Sequence, residues 1–149
     1  VASHRQKLFE GWSEAGLPKD LSKWRVAKSI FVAESEADAQ RYAKTHDGPY
    51  GHYYKSLMHK LIGNGRPELF KANREMGDSE VTLDYVLDSL VIAGTASQVA
   101  EQVLELREQV GDFGTLVYAG HDWAEPELAK QSMHLMTEQV MPMVNAEIG

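Results

Sequence analysis

The chain has 149 residues, 43% hydrophobic and 25% charged, with a net charge of −7 and no cysteine. That composition reads as one soluble globular domain, long enough to bury a core without a metal or disulfide staple. It excludes disulfides, a thiolate nucleophile and Cys-ligated metal centres, and its acidity argues against nucleic acid as a main partner, which requires clustered Lys and Arg against phosphates.

The charge is uneven. Residues 1–66 carry 11 Lys and Arg against 7 Asp and Glu, and residues 67–149 carry 4 against 15. No block of five like charges occurs, so there is neither a basic arm nor an acidic tail. No apolar run approaches the ~18–20 residues of a membrane span, and the start lacks the basic-then-apolar order of a secretion signal. We therefore expect a cytoplasmic protein. Val1 is followed by Arg5, Lys7, Leu8, Phe9 and Trp12 in the pattern of a helix interior, so the start reads as cut from a longer chain.

In chain order, residues 3–15 are helical in pattern and stop at Gly16-Leu17-Pro18. Val26, Ile30, Phe31 and Val32 signal a strand ending at Ala33-Glu34-Ser35, where Ser35 caps a helix with Asp38 at its third position. Residues 46–80 interleave the breakers Gly48-Pro49, Gly51, Gly63-Asn64-Gly65 and Pro67 with apolar patches, which predicts an irregular helical insertion. Val81 to Leu87 suggests a short helix. Leu90-Val91-Ile92-Ala93-Gly94 has the continuous apolar run of a strand buried on both faces, and Thr95 with Gln98 forms a capping box for the next helix. That helix places Val99, Val103, Leu106 and Val110 on one face and ends at Gly111. Thr115 to Gly120 repeats the strand pattern, and Asp122 with Glu125 opens a last helix that Pro142 closes or kinks.

Three times, then, the chain reads strand, small residues, polar cap, helix. Successive βα units imply parallel pairing, with helices on both faces or a closed barrel. A barrel of eight such units takes about 250 residues, so three cannot close one. Either the sheet is open and small or the chain is part of something larger.

The runs Leu90-Val91-Ile92-Ala93-Gly94-Thr95-Ala96-Ser97-Gln98 and Phe113-Gly114-Thr115-Leu116-Val117-Tyr118-Ala119-Gly120-His121-Asp122-Trp123 resemble the C-terminal end of bacterial-luciferase-like flavin-dependent monooxygenases, the limonene monooxygenase-like branch above all. Ile30-Phe31-Val32-Ala33-Glu34-Ser35 and Gly48-Pro49-Tyr50-Gly51-His52-Tyr53-Tyr54 resemble the preceding strand and insertion. The resemblance implies an α/β fold in which residues 1–149 form a single partial domain, the C-terminal three βα units of a (β/α)8 TIM barrel, with the helical insertion at 46–80. It also implies reduced FMN supplied by a separate flavin reductase, O2, and a small hydrophobic organic substrate. The partner of the fragment is then the missing N-terminal half of the barrel or a second copy.

Barrel active sites lie at the carboxyl ends of the strands. His121, just past an apolar strand and followed by an acid and an indole, is the candidate catalytic residue, with helix capping as the alternative. Gly94 and Thr95 are candidate cofactor-binding residues, because a glycine admits close approach and a helix N-terminus offers free N–H groups, although Thr95 also suits a plain cap. Glu34, Ser35, Asp122, Trp123 and Tyr50 are the candidate substrate pocket. Tyr42, Tyr50, Tyr53 and Tyr54 with His46, His52 and His59 form either an aromatic lid or the packing of the insertion. No metal set is evident, since His52 and His59 stand two helical turns apart without a third ligand. Gly63-Asn64-Gly65 fails the dinucleotide fingerprint because Glu68 stands at the last glycine position, and there is no P-loop, His-Glu-x-x-His or Gly-x-Ser-x-Gly. Two functions follow: a fragment of a flavin monooxygenase, or a noncatalytic half-barrel for assembly or dimerisation.

Overall fold

The β-branched run at 26–32 forms the longest strand, β1 (Arg25–Val32). The computed structural model describes residues 2–121 and 124–149, with side chains from His4 onward. Alternation along β1 sends Val26, Ile30 and Val32 into one apolar cluster and Phe31 into another, as the two-residue period of a strand requires. Strand β2 (Val91–Gly94) is buried throughout, and β3 (Thr115–Ala119) has no buried residue.

All pairing is parallel, and the strand order is β2-β1-β3. Three successive barrel units would put β2 in the middle, so here the sheet is open and departs from that order. The longest strand has two edges to satisfy, and it takes β2 along Ser29–Val32 and β3 along Arg25–Ser29. Because β2 and β3 lie on opposite sides of β1, right-handed connections demand helices on opposite faces. Accordingly α2 (Glu36–Ala43), α3 (Pro49–Gly63) and α4 (Leu83–Leu90) cover the Phe31 face, and α5 (Ala96–Val110) covers the Ile30 face. The amino-terminal helix, α1 (Ala2–Glu14), meets α5.

Residues 46–80 are more regular than the breakers suggest. Pro49 stands in the first turn of α3, where its missing N–H costs nothing, so it starts the helix instead of ending the pattern. Gly51 is inside that helix for close approach, since a methyl there would collide with the Thr45 and His46 carbonyls. Two short 3₁₀ turns, Pro67–Phe70 and Asp78–Glu80, finish the segment.

The last helix starts at Pro126 and passes straight through Pro142. It comprises α6 (Pro126–Leu135), a π turn at Met136–Val140 and α7 (Met141–Ile148). Proline lacks the N–H for the carbonyl four residues back and its ring crowds that carbonyl, and the wider turn just before it accommodates both defects.

Candidate functional site

In a parallel sheet the carboxyl ends of the strands lie on one side, although β3 stops opposite Ser29 while β1 and β2 run on to Val32 and Gly94, and beyond the ends come Glu34-Ser35, Thr95 and Gly120-His121. Ser35 is the α2 cap: its Oγ accepts from the Asp38 amide at 3.1 Å and donates to Asp38 Oδ2 at 2.7 Å. Glu34 beside it is exposed. Gly94 has φ +155°, a backbone that favours glycine, and the space over its Cα is filled by the Gln98 side chain. Gln98 Oε1 accepts from the Thr95 amide at 2.9 Å and from its hydroxyl at 3.2 Å. The turn is closed upon itself, and Thr95 serves the helix as a cap.

His121 is brought to Tyr50. It is 8% exposed, its ring centroid lies 4.4 Å from that of Tyr50 in edge contact and 4.6 Å from that of Tyr53, and its backbone carbonyl accepts from Tyr42 Oη at 2.7 Å. Beneath it, Phe31 stacks on Tyr42 at 4.2 Å, and Tyr50 meets both edge-on. Tyr42, Tyr50 and Tyr54 are therefore core residues, whereas Tyr53, His46, His52 and His59 are exposed. Asp122 and Trp123 lie outside the described residues.

Hydroxyls thread this cluster. The Tyr50 hydroxyl donates to the Ile30 carbonyl, Tyr118 Oη and Ser132 Oγ are 2.9 Å apart, and Ser132 Oγ accepts from the Val32 amide at 2.7 Å. Tyr54 Oη meets Ser29 Oγ at 2.9 Å. Burial pushes the Tyr50, Tyr54 and Tyr118 phenols above their ordinary value, because a phenolate there would lose its hydration. At the rim, Arg41 holds Glu125 through its two terminal guanidinium nitrogens, tying α2 to the start of α6 and keeping the Glu125 carboxyl below its ordinary range.

Sequence reading missed Tyr118 and Ser132. The signal for Ser132 was present, because it falls on the apolar stripe of the last helix, four residues after Leu128 and three before Leu135. A polar residue on such a stripe has a buried partner to find.

Two further features bound the chemistry. Among the described residues no three His, Asp or Glu side chains converge as a metal set, and no helix is long and apolar enough to cross a membrane. A partly open cavity of about 110 Å³ lies at the amino end of β3 among Val103, Phe113, Leu116, Met141 and Val144, away from His121. Hollows of about 650 Å³ are open depressions, one against α1 and α5, another at the start of α6.

No protein-family model matches the chain. It is 24% identical over 143 residues to 3,6-diketocamphane 1,6-monooxygenase of Pseudomonas putida, a stretch covering 95% of this chain and 37% of that protein. It is 30% identical over 152 residues to limonene 1,2-monooxygenase of Rhodococcus erythropolis, covering 97% of this chain and 36% of the relative. Among solved structures, the oxygenating constituent of 3,6-diketocamphane monooxygenase from the Pseudomonas putida CAM plasmid, a type II Baeyer–Villiger monooxygenase in complex with FMN, superposes with a TM-score of 0.78. The two are 25% identical, over 96% of this chain and 39% of that one. A monooxygenase from Streptomyces bottropensis shares the fold, with a TM-score of 0.54 at 17% identity over 95% of this chain and 37% of its own. These homologues, matched along the whole of this chain, are luciferase-like flavin-dependent monooxygenases, and the chain spans about two fifths of their length.

Proposed function

We propose that this chain is a portion of a flavin-dependent monooxygenase that acts in the cytoplasm, using reduced FMN from a separate reductase and O2 to oxygenate a small hydrophobic organic substrate. One observation carries the reading: the end-to-end likeness, at a TM-score of 0.78, to an oxygenating enzyme in complex with FMN. On this reading the three βα units come from the C-terminal part of a (β/α)8 barrel, and the strand ends at Glu34-Ser35, Gly94-Thr95 and Gly120-His121 face its active site.

The residues present do not by themselves fit FMN. Gln98 fills the approach to Gly94 and takes the Thr95 amide, so that turn holds no seat for a phosphate. The cluster at His121 is packed shut, and a drug-sized ligand needs a cleft of roughly 300–1,000 Å³ with convergent walls. The flavin site of this reading is completed by polypeptide outside this stretch, and this chain supplies the strand end where exposed Tyr53 lies against His121. On this reading His121 is the candidate catalytic residue at that strand end.

An anaerobic titration with reduced FMN tests the reading. The chain alone is expected not to bind in the micromolar range. Mixed with the separately expressed portion of the Pseudomonas putida 3,6-diketocamphane enzyme that it does not match, it is expected to bind. Failure of the mixture to bind overturns the reading. In a mixture that turns over, His121→Ala is expected to lower the rate by about 10²–10⁴-fold, and an unchanged rate removes His121 from the chemistry.

The second reading, a noncatalytic assembly module, is favoured by the bare face of β3, where Val117 is 41% exposed beside exposed Ala27 and Thr115. It predicts self-association that sedimentation detects and that reduced FMN leaves unchanged.

A further inference from the structure

The partly open cavity of about 110 Å³ is built where three elements meet at the amino end of β3. α5 brings Val103, the approach to β3 brings Phe113, β3 itself brings Leu116, and α7 brings Met141 and Val144. Protein interiors pack to the density of organic crystals and keep few voids larger than one water, so a hole of this size has a cause in the chain.

Several local features hold it open. Val103 and Val144 are buried at 3% and 5% exposure, and their short branched side chains leave the space that a longer side chain would fill. Gly114 also lines the hole and can carry no side chain, because a methyl there would collide with the Ser22 carbonyl. Phe113 meets Trp24 edge-on with ring centroids 6.5 Å apart, which fixes one wall. The π turn ahead of Pro142 sets the phase that brings Val144, and not Met143, to the wall.

The walls select the occupant. The buried lining is hydrocarbon with one thioether, whereas a water needs two to four polar partners to stay. Polar side chains enter only at Arg107 and Asn145, which with Ile148 are the lining residues that reach solvent, so the opening lies there. Arg107 and Ile148 also line the open hollow against α1 and α5, which gives a route in. A charged ligand is disfavoured at this mouth. Arg107 is paired with Asp112 at 2.8 Å, and around the hollow two arginines face three carboxylates, Glu108, Asp112 and Glu147, so an anion finds no surplus of positive charge. A cationic head would meet Arg107 at the opening itself, and neither charge could enter the apolar floor without losing its hydration.

We propose that this cavity is a binding site for a small neutral apolar molecule about the size of benzene, and that the bound molecule ties β3 to α5 and α7. Apolar cavities of about 150 Å³ stay dry and take benzene or xenon, and this slightly smaller one has an open side into which a ring can extend. β3 has no buried residue, and Leu116, its contribution to the wall, packs against the same cluster as Val103 and Val144. The site lies away from His121 and the carboxyl ends of the strands, so it stands whether or not the chain serves flavin chemistry.

The probe is benzene, added to the 149-residue chain and followed through side-chain methyl resonances. One saturable site is expected, with the methyls of Val103, Leu116, Met141 and Val144 shifting together while those of Val86 and Leu87, in the cluster on the other face of the sheet, stay in place. Hydrogen exchange at the β3 amides is expected to slow as the site fills. Benzoate, the same ring with a charge, is expected to bind about tenfold more weakly or worse. Val103→Phe, which fills the hole, is expected to weaken benzene binding by about tenfold or more. Circular dichroism reports whether that variant folds, and Val144→Leu, a smaller filling, takes its place if it does not. Absence of saturable shifts, shifts shared by Val86 and Leu87, unchanged β3 exchange, benzoate binding as tightly as benzene, or undiminished benzene binding by a folded filled variant overturns the proposal.

Discussion

Strands β2 and β3 come from nearly the same sequence pattern, a short apolar run ending in glycine, and both pair parallel to β1. One is buried at every residue, and the other is buried at none. α2, α4 and α5 pack on β2, so its faces are covered by chain on either side of it in sequence. β3 has cover on the α7 side only, where Leu116 and Tyr118 pack, and its opposite face at Thr115 and Val117 is bare. An apolar run therefore announces a strand without saying which neighbour it will have, because pairing depends on which edges are open when the sheet assembles.

Substitution at matched depth sharpens that contrast. The largest loss is expected in the aromatic cluster against β1, where Tyr50→Ala removes a fully buried ring from among Phe31, Tyr42 and His121 and leaves the Ile30 carbonyl unpaired. It should cost about 3–5 kcal/mol in urea unfolding. Ile92→Ala in β2 should cost about 2–5 kcal/mol, whereas Val117→Ala in β3 should stay within about 0.5 kcal/mol. Equal losses at 92 and 117 would end the comparison. Ser132→Ala, which strips the Val32 amide and the Tyr118 hydroxyl of a partner, should cost about 1–3 kcal/mol by the same assay.

Alkali probes the same place. The buried phenols of Tyr50, Tyr54 and Tyr118 keep their protons in the folded state beyond the pH at which the unfolded chain ionises. Raised folded values mean stability that is complete below about pH 10 and is lost as the pH climbs past it. The phenolate absorbance of these three should accordingly appear together with unfolding. A gradual, independent titration of these three tyrosines would show the cluster to be open to water. A small effect also belongs to the surface: Asp84→Ala breaks an exposed contact with His46 of 2.6 Å and should change stability by about 0–1 kcal/mol.

Local elements were legible where one physical rule decides them. Ser35 with Asp38 announced the start of α2, and the spacing of Val99, Val103, Leu106 and Val110 announced the buried face of α5. Strand order was not legible, since hydrogen-bonding capacity is the same at every edge. Of the candidate site, His121 and Tyr50 do meet, but what joins them is Tyr42, Tyr118 and Ser132, contributed from 14 to 100 residues away along the chain by hydrogen bonds that no local spacing records.

The π turn before Pro142 has a consequence of its own. Ser132, Leu135 and Met136 are buried, and at 3.6 residues per turn a uniform α-helix would carry that stripe on to Gln139 and Met143. Those two are exposed, and Val140 and Val144 are buried instead. The wide turn works as a reading-frame shift of one residue within a single continuous helix. Removing one residue from 137–139 should convert the wide turn to uniform α-helix and leave Val140 and Val144 facing the sheet, whereas tightening the turn to α without a deletion would turn both away.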